Sequence, residues 1–207
     1  RVLAITAKRF DRPALEFLSR EEIAALLDAP NRATWSGQRD AVLLATLYNT
    51  GARVSELTAL RVQDVLTDRA SALHLHGKGR KERVVPLWKT TATQLQAWMR
   101  RIDPEPHTPV FPNRAGARLS RSGVENRLAA ALAIASKRCP SLAGRRISPH
   151  TLRHSTAMHL LQSGVDITVI AMWLGHEDPS TTHLYVEADL AMKEAALRRV
   201  ADLTPKP

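Results

Sequence analysis

The chain has 207 residues, of which 44% are hydrophobic, and its 30 Lys and Arg against 20 Asp and Glu give a formal net charge of +10. This size and composition are typical of one globular domain and exclude a chain that is disordered throughout. No apolar run approaches the roughly 18 residues of a membrane span. Arg1 to Asp11 lack the apolar core of a signal peptide, and the single cysteine excludes an internal disulfide or a cysteine-based metal centre. The excess of basic charge predicts a polyanionic partner, of which nucleic acid is the commonest.

The first part of the chain is predicted to be helical. Residues 1–18 have no clear hydrophobic period and are interpreted as an arm or linker. Ser19 and Glu22 have the spacing of a capping box and predict the start of a helix. Two further helical segments are predicted, at Gly37–Asn49 with its stop at Gly51, and at Val54–Leu60.

The middle of the chain changes to strand-like segments. The turn residues Thr67-Asp68-Arg69 and Gly77-Lys78-Gly79-Arg80 separate these segments from one another. They predict a small three-stranded antiparallel sheet with strands at Val62–Leu66, Ala72–Leu75 and Arg83–Leu87.

The remainder is predicted to be helical again, so the expected fold class is α+β and mostly helical. Helices are expected near Thr90–Ile102 and Ser122–Lys137, with a proline-rich loop over Asp103–Asn113. The last third contains four more predicted helices: one from Ser148-Pro149 to Gly164, one over Asp166–Leu174 ending at Gly175, one from Asp178-Pro179, and one over about Leu190–Leu203.

Two kinds of phosphate-handling site are missing from the sequence. Gly77-Lys78-Gly79 lacks the Ser or Thr of a nucleotide-binding loop. The acidic residues are scattered, whereas a metal-dependent nuclease needs clustered carboxylates. His150, His154 and His159 include an i,i+4 pair but no nearby carboxylate that would complete a zinc site. The sequence therefore predicts no metal and no cofactor, and it assigns any phosphate chemistry to cationic side chains.

Arg53 and Arg153 are the candidates for a phosphate clamp. Cleavage of a phosphodiester without a metal needs cations that neutralise two oxygens. Arginine does this best, because its fork matches two oxygens and it stays charged. His150 lies three residues before Arg153 at a predicted helix start, where free amides and the helix dipole also favour phosphate.

Three other side chains complete the candidate site. His176 follows a glycine helix stop, and Tyr185 is one of only two tyrosines, with a phenol that can form a covalent intermediate. Lys78, at the tip of the predicted hairpin, can reach and protonate a leaving oxygen. Each signal alone is weak, because isolated arginines, histidines and tyrosines are common in packing or at the surface. Their joint arrangement is strong.

That arrangement closely resembles the catalytic domain of the tyrosine recombinases, the phage-integrase family, and most nearly its bacterial Xer-like branch. The spacings are 25 residues from Arg53 to Lys78, 72 on to His150, 23 from Arg153 to His176, and nine to Tyr185. The resemblance covers about residues 15–190 without a departure at the six positions. It extends to the flanking segments Phe17-Leu18-Ser19, Arg39-Asp40, Thr50-Gly51, Ser55-Glu56-Leu57, Lys81 to Leu87 and Leu174-Gly175-His176.

The resemblance implies a role for each residue. Tyr185 would attack the scissile DNA phosphate to form a 3′-phosphotyrosine and free a 5′-hydroxyl. Because the bond energy stays in that linkage, no ATP would be needed for another 5′-hydroxyl to complete strand exchange. The other implied roles are phosphate binding by Arg53, Arg153 and His176, protonation of the leaving oxygen by Lys78, and general acid/base support by His150. Glu56 is interpreted either as the partner that orients Arg53 or as a surface carboxylate.

The expected partner is double-stranded DNA, contacted by Arg80, Lys81 and Arg83 of the hairpin. No membrane or nucleotide partner is expected, and the location implied is the bacterial cytoplasm, at the nucleoid. The family's N-terminal DNA-clamping domain has no counterpart in this chain. We therefore expect the catalytic part of a longer recombinase that assembles as a tetramer on two DNA sites.

The domain organisation expected is a linker or arm remnant over 1–15, a catalytic domain over 16–189, and a C-terminal helix and tail over 190–207. In the family this last segment often docks on a neighbouring subunit. Docking in trans is therefore expected here, with docking on its own domain as the alternative. Two other functions fit part of the sequence: DNA relaxation of the type IB topoisomerase kind, which shares the phosphotyrosine chemistry, and DNA binding without catalysis.

Overall fold

The computed structural model describes residues 17–67, 71–77 and 81–175. These residues form α1 (Arg20–Leu27), α2 (Trp35–Thr50), α3 (Val54–Ala59), β1 (Val65–Leu66), β2 (Ala72–His76), β3 (Glu82–Pro86), α4 (Lys89–Met99), α5 (Arg121–Ala135), α6 (Pro149–Gln162) and α7 (Ile167–Leu174). Short 3-10 helices lie at Val62–Asp64 and Pro140–Leu142. This mostly helical α+β architecture confirms the predicted fold class.

The ends of the helices are set by residues with local capping chemistry. The Glu22 N–H donates to the Ser19 hydroxyl at 3.2 Å, and the Ser19 N–H donates to the Glu22 carboxylate at 2.8 Å. This reciprocal pair is the capping box predicted from the sequence. Gly51 ends α2 and Gly175 ends α7, both in the left-handed conformation with φ of 57° and 65°. A residue that has a Cβ adopts this backbone conformation only with strain.

The three strands form an antiparallel sheet in the order β1-β2-β3, as predicted. Leu73 pairs with Val85, and His76 pairs with Glu82. The predicted strand over Val62–Leu66 is wrong in its first half, because residues 62–64 form a 3-10 turn. There the Arg61 N–H donates to the Asp64 carboxylate at 2.9 Å, which holds the chain in the turn.

The proline-rich segment between α4 and α5 is irregular, as predicted, but it is anchored in the core. Val110 and Phe111 are buried, and the indole N–H of Trp98 donates to the Val110 carbonyl at 2.7 Å. The flanking helices α4 and α5 differ from the predicted segments by a few residues at their ends. Shifts of one or two residues are common at helix ends, and the start of α5 is set by Ser120, whose hydroxyl accepts from the Gly123 N–H at 3.0 Å.

The segment before α1 is packed rather than free. Leu18 is fully buried, and its N–H donates to the Ser155 hydroxyl of α6 at 2.8 Å. The interpretation of residues 1–18 as an arm is therefore wrong at Leu18. The predicted arm from residue 1 to 16 lies outside the described residues, and so do the helices predicted from Asp178-Pro179 and over Leu190–Leu203.

Helix α2 is the centre of the fold and packs against α4 and α6. Burial of its leucines, of which Leu43, Leu44 and Leu47 are fully buried, contributes roughly 1.5–3 kcal/mol each. A smaller cluster joins α6 to α7 through Met158, Leu161, Ile170 and Leu174, together with Ala157. The indole N–H of Trp173 in α7 donates to the Asn49 carbonyl of α2 at 3.1 Å, so the C-terminal ends of α2 and α7 lie together, beside the start of α3. None of the helices in the described part of the chain is long and apolar enough to cross a membrane.

Candidate active site

A cleft of about 870 Å³ opens where three helices begin. The N-cap residues of α3, α5 and α6, which are Arg53, Ser120 and Ser148, all line it. Helix starts carry amides without intrahelical partners and a partial positive charge. The charged and titratable lining residues are Arg53, Arg118, Arg121, Glu125, His150 and Arg153. With four arginines and one carboxylate, the cleft is suited to an anion such as a DNA phosphate.

The fold brings the two predicted clamp arginines into this cleft, although they are 100 residues apart in sequence. Arg153 is only 3% exposed, and its guanidinium donates to the Gly51 and Leu174 carbonyls at 2.5 and 2.8 Å. The Arg53 side chain is 45% exposed and donates to the Gly175 carbonyl at 3.2 Å. The two guanidiniums are therefore held at the end of α7, one buried and one facing solvent.

Glu56 is the buried partner of Arg53, and not a surface carboxylate. Its carboxylate accepts from the Arg53 N–H at 2.8 Å and from Arg53 Nη1 at 3.1 Å. It also accepts hydrogen bonds from both terminal nitrogens of Arg83, at 2.9 and 2.7 Å. Burial acts to raise the pKa of Glu56, but the hydrogen bonds and charge of Arg83, with the bonds from Arg53, hold it below the usual value. Glu56 therefore remains ionised and fixes both arginines.

Arg83, predicted to contact DNA, points into the protein. Its side chain is 12% exposed, and besides its two bonds to Glu56 it donates from Nε to the Trp173 carbonyl at 2.9 Å. A Cβ added to Gly175 would lie 3.0 Å from Arg83 Nη1, and one added to Gly77 would lie 3.4 Å from Glu56 Oε1. The turn end of the β2–β3 hairpin is thus fixed against α3 and α7, immediately before Lys78.

Three arginines cap the C-terminal end of α7. The carbonyls of Trp173, Leu174 and Gly175 accept hydrogen bonds in turn from Arg83, Arg153 and Arg53. The last carbonyls of a helix have no partner within it, and cations are favoured there by the helix dipole. This arrangement fixes the backbone directly before His176.

His150 and His154 lie one turn apart on α6 with their ring centroids 4.7 Å apart. Desolvation lowers the pKa of His150, and the charges of Arg153, Arg53 and Arg121 lower it further. Burial, with smaller contributions from His150 and Arg153, lowers the pKa of His154 to about 4. Both imidazoles are therefore neutral near pH 7, and His150 in the cleft can accept a proton.

The structure describes only part of the predicted site. Lys78, Arg80, His176 and Tyr185 lie outside the described residues, while Lys81 is exposed at the start of β3.

Sequence reasoning missed two cleft residues, Arg118 and Arg121. Their only sequence signal is a pair of arginines flanking Ser120 at the start of a predicted helix.

Solved structures with the same fold define the class of domain. The catalytic domain of bacteriophage HP1 integrase matches with a TM-score of 0.59 and 21% identity, over 93% of this chain and 99% of that one. XerH site-specific recombinase, bound to palindromic difH substrate in a post-cleavage complex, matches with a TM-score of 0.75 and 24% identity, over 89% of this chain and 53% of that one. The fold is that of the tyrosine recombinase catalytic domain.

The chain belongs to the phage integrase family, whose sequence model matches residues 16–192. It is 48% identical over its full length to a Sinorhizobium fredii protein named "Putative integrase/recombinase y4rC", and covers 62% of that protein. It is 35% identical to the tyrosine recombinase XerD of Pseudomonas putida, over 88% of this chain and 61% of XerD. The chain thus spans about three fifths of the length of these relatives.

Proposed function

We propose that this chain is the catalytic part of a site-specific DNA recombinase that cleaves and rejoins double-stranded DNA through a 3′-phosphotyrosine, without metal or ATP. The observation that carries the proposal is the convergence of Arg53, His150 and Arg153 in one cationic cleft at the end of α7. Membership of the family supports it, as do the recombinase names of the curated relatives.

The scissile phosphate would bind in the cleft between the starts of α3, α5 and α6. Arg53 and Arg153, with His176, would hold the two non-bridging oxygens, whose charge increases in the transition state. Because both arginines are already held by carbonyls and by Glu56, little reorganisation is needed when that charge develops. Preorganised donors of this kind contribute more than flexible ones.

The chemical step is an in-line displacement at phosphorus. The phenolic oxygen of Tyr185 would form a bond to phosphorus as the bond to the 5′-oxygen breaks, and Lys78 would give that oxygen its proton. The phenol must lose its own proton, and neutral His150 is the candidate general base. In the reverse direction a 5′-hydroxyl of another strand attacks the phosphotyrosine and releases Tyr185.

Arg83 acts in this proposal as a positioning residue. It connects β3 to Glu56 on α3 and to the Trp173 carbonyl on α7. The hairpin that carries Lys78, the helix start that carries Arg53 and the segment that leads to His176 are therefore tied to one guanidinium. Contact with DNA phosphates at the hairpin would fall to Arg80 and Lys81.

The larger assembly follows from the same proposal. Residues 16–189 would form the catalytic domain, preceded by a linker over 1–15. A longer protein would add the domain that clamps the other face of DNA and would assemble as a tetramer on two sites at the nucleoid. The segment 190–207 would dock on a neighbouring subunit and couple cleavage to assembly.

The test is covalent trapping of the chain on a nicked DNA duplex that carries the recombination site. The site is first mapped by sequencing the junctions of recombined DNA. Tyr185→Phe removes only the phenolic oxygen, so we expect no covalent adduct and non-covalent binding within a few-fold of wild type. The matched control is Tyr48→Phe, the chain's other tyrosine, whose hydroxyl is hydrogen-bonded to His159 at 2.7 Å inside the fold. It should keep the adduct while losing about 1 kcal/mol of stability.

Persistence of the adduct in Tyr185→Phe would contradict the assignment of the nucleophile. Absence of the adduct in the wild-type chain would favour DNA binding without catalysis. A plasmid with paired sites separates the remaining alternative, because a topoisomerase would relax it without joining the two sites.

A further inference from the structure

We propose that Asp64, His74 and His76 form a binding site for a zinc-like divalent cation on one face of the three-stranded sheet. One ligand atom from each of these residues lies within 4.8 Å of the other two. None of the three lines the active-site cleft. The site therefore goes beyond the proposed recombinase function and does not depend on it.

The sheet places these side chains together for simple geometric reasons. His74 and His76 are two residues apart on β2, so they lie on the same face of the strand. Their ring centroids are 4.4 Å apart. Asp64 ends the 3-10 turn that leads into β1, and the β1–β2 pairing brings its carboxylate to within 3.1 Å of His76 Nε2.

Asp64 is oriented for this role before any ion binds. It is 4% exposed, and its Oδ2 accepts from the Arg61 N–H at 2.9 Å. This bond directs Oδ1 toward His76. A buried, fixed carboxylate beside two imidazoles is a typical donor set for zinc, which prefers nitrogen and oxygen ligands at three protein positions plus one water.

Glu82 supplies the outer partner of the site. It lies directly opposite His76 in the β2–β3 register, and its Oε1 accepts from His76 Nδ1 at 3.1 Å. In the neutral imidazole that bond puts the lone pair on Nε2, the nitrogen beside Asp64, so an ion would replace the present contact between His76 Nε2 and Asp64 Oδ1. The other carboxylate oxygen of Glu82, Oε2, contacts His74 Nε2 at 2.9 Å. A carboxylate that accepts the second ring proton of a histidine ligand fixes the tautomer and ring orientation that metal binding needs.

The distances are close to those of a bound site. Tetrahedral zinc with bonds of about 2.0–2.2 Å places its ligand atoms roughly 3.3–3.5 Å apart. Asp64 Oδ1 and His76 Nε2 are already at 3.1 Å. His74 is 33% exposed at its side chain, and a rotation of its ring that breaks its contact with Glu82 would close the remaining distance of about an ångström. The ion would join the Val62–Asp64 turn to the C-terminal half of β2, next to the hairpin turn.

The experiment is titration of the 207-residue chain with Zn²⁺ alone by calorimetry, and with Co²⁺ to record the visible absorption of a four-coordinate ion. We expect about one ion per chain. His74→Ala and His76→Ala should each weaken binding at least about tenfold, and Glu82→Gln roughly 10- to 100-fold. Zn²⁺ should raise the melting temperature of the wild-type chain but not of His74→Ala.

His107→Ala is the matched control, since it removes an exposed imidazole that lies outside the cluster. It should bind as the wild type does. The proposal is overturned if the wild-type chain binds no Zn²⁺. It is also overturned if His74→Ala and His76→Ala bind as tightly as wild type, or if His150→Ala alone removes the binding and so places the ion on the His150–His154 pair of α6. Because His74 is partly exposed, its alanine variant should stay folded, and circular dichroism checks this.

Discussion

Arg83 lies on β3 and Lys81 directly precedes that strand, yet the fold gives their charges different surroundings. Lys81 is exposed, whereas the Arg83 side chain is 12% exposed and paired in bidentate fashion with Glu56, which is 3% exposed. Removing one partner of such a buried pair leaves an uncompensated charge and costs about 3–5 kcal/mol. A guanidinium held in this way is a poor candidate for contact with a DNA phosphate.

The first prediction separates these two roles. Arg83→Gln should slow cleavage at saturating DNA and leave the salt dependence of binding unchanged, because no phosphate contact is lost. Lys81→Gln should reduce by about one the magnitude of the slope of log binding constant against log salt concentration. It should leave the cleavage rate at saturating DNA near that of the wild type. Filter binding across a salt series and single-turnover cleavage measure both. Arg83→Lys, which keeps the charge but not the fork, should rescue poorly. A reduced salt slope in Arg83→Gln would return this residue to the DNA contact.

His154 gives the second prediction, for pH dependence. Its pKa in the fold is about 4, below its ordinary value of 6.5, so the folded chain favours neutral imidazole. The unfolded chain takes up this proton at a higher pH than the folded chain does. The contribution of His154 to the free energy of unfolding is therefore fully present above pH 6.5 and is lost as the pH falls toward 4. His150 and His159, whose pKa values are also lowered, act in the same direction.

Urea unfolding at a series of pH values measures this effect. His154→Gln should flatten the dependence of the unfolding free energy on pH between 6.5 and 4, whatever its absolute stability. His107→Gln, at an exposed position, should keep the wild-type slope. Equal slopes in all three proteins would show that His154 takes up its proton equally in both states.

At the scale of elements, the contact between the ends of α2 and α7 positions the site. Gly51 ends α2 with φ of 57°, and a Cβ there would lie 2.4 Å from Leu174 Cδ2 of α7. Gly164, after α6, has φ of 81° and no atom within 4 Å of an added Cβ. The two glycines therefore share the conformational requirement but not the close packing.

The third prediction uses this pair. Gly164→Ala should cost about 1–2 kcal/mol, which is the strain of a left-handed alanine. Gly51→Ala should cost that amount plus about 1–3 kcal/mol for displacing Leu174. Denaturant unfolding of both variants gives the difference. Equal losses would mean that α7 moves away from α2 at little cost, and the arginine-capped end of α7 would then be less rigid than its hydrogen bonds imply.

Local elements are the part of the fold that sequence reasoning predicted well. The Ser19–Glu22 capping box, the glycine stops at Gly51 and Gly175, and the order of the three strands depend on residues close together in the chain. The error at Val62–Asp64 has the same origin, because Val62, Val65 and Leu66 give the segment the composition of a strand. One local bond from the Arg61 N–H to the Asp64 carboxylate decides otherwise.

At the scale of the whole molecule, part of the basic charge behind the net charge of +10 lies in one cleft. Four arginines and three helix starts share one cleft. The fourth prediction is that the isolated chain binds DNA weakly and with a steep salt dependence. Roughly 4–8 neutralised phosphates correspond to a log–log slope of about −4 to −7.

Arg121→Gln, in the cleft, should reduce this slope by about one. Arg100→Gln makes the same change of charge at an exposed position that does not line the cleft, and it should leave the slope unchanged. A salt slope near zero in the wild-type chain would contradict binding dominated by phosphate contacts.

The sequence by itself determined the fold class and the family, because these depend on residue types in a fixed order, and the same order gave Arg53 and Arg153 as the candidates for the phosphate clamp. Only the tertiary structure decided that Glu56 is buried, that Arg83 points inward and that Leu18 belongs to the core. It also brought Arg118 and Arg121 into the cleft, and it placed Asp64 beside two histidines of β2. Each of these outcomes depends on packing between elements that are distant in the chain, and the chemistry of a single side chain is compatible with either outcome until that packing is known.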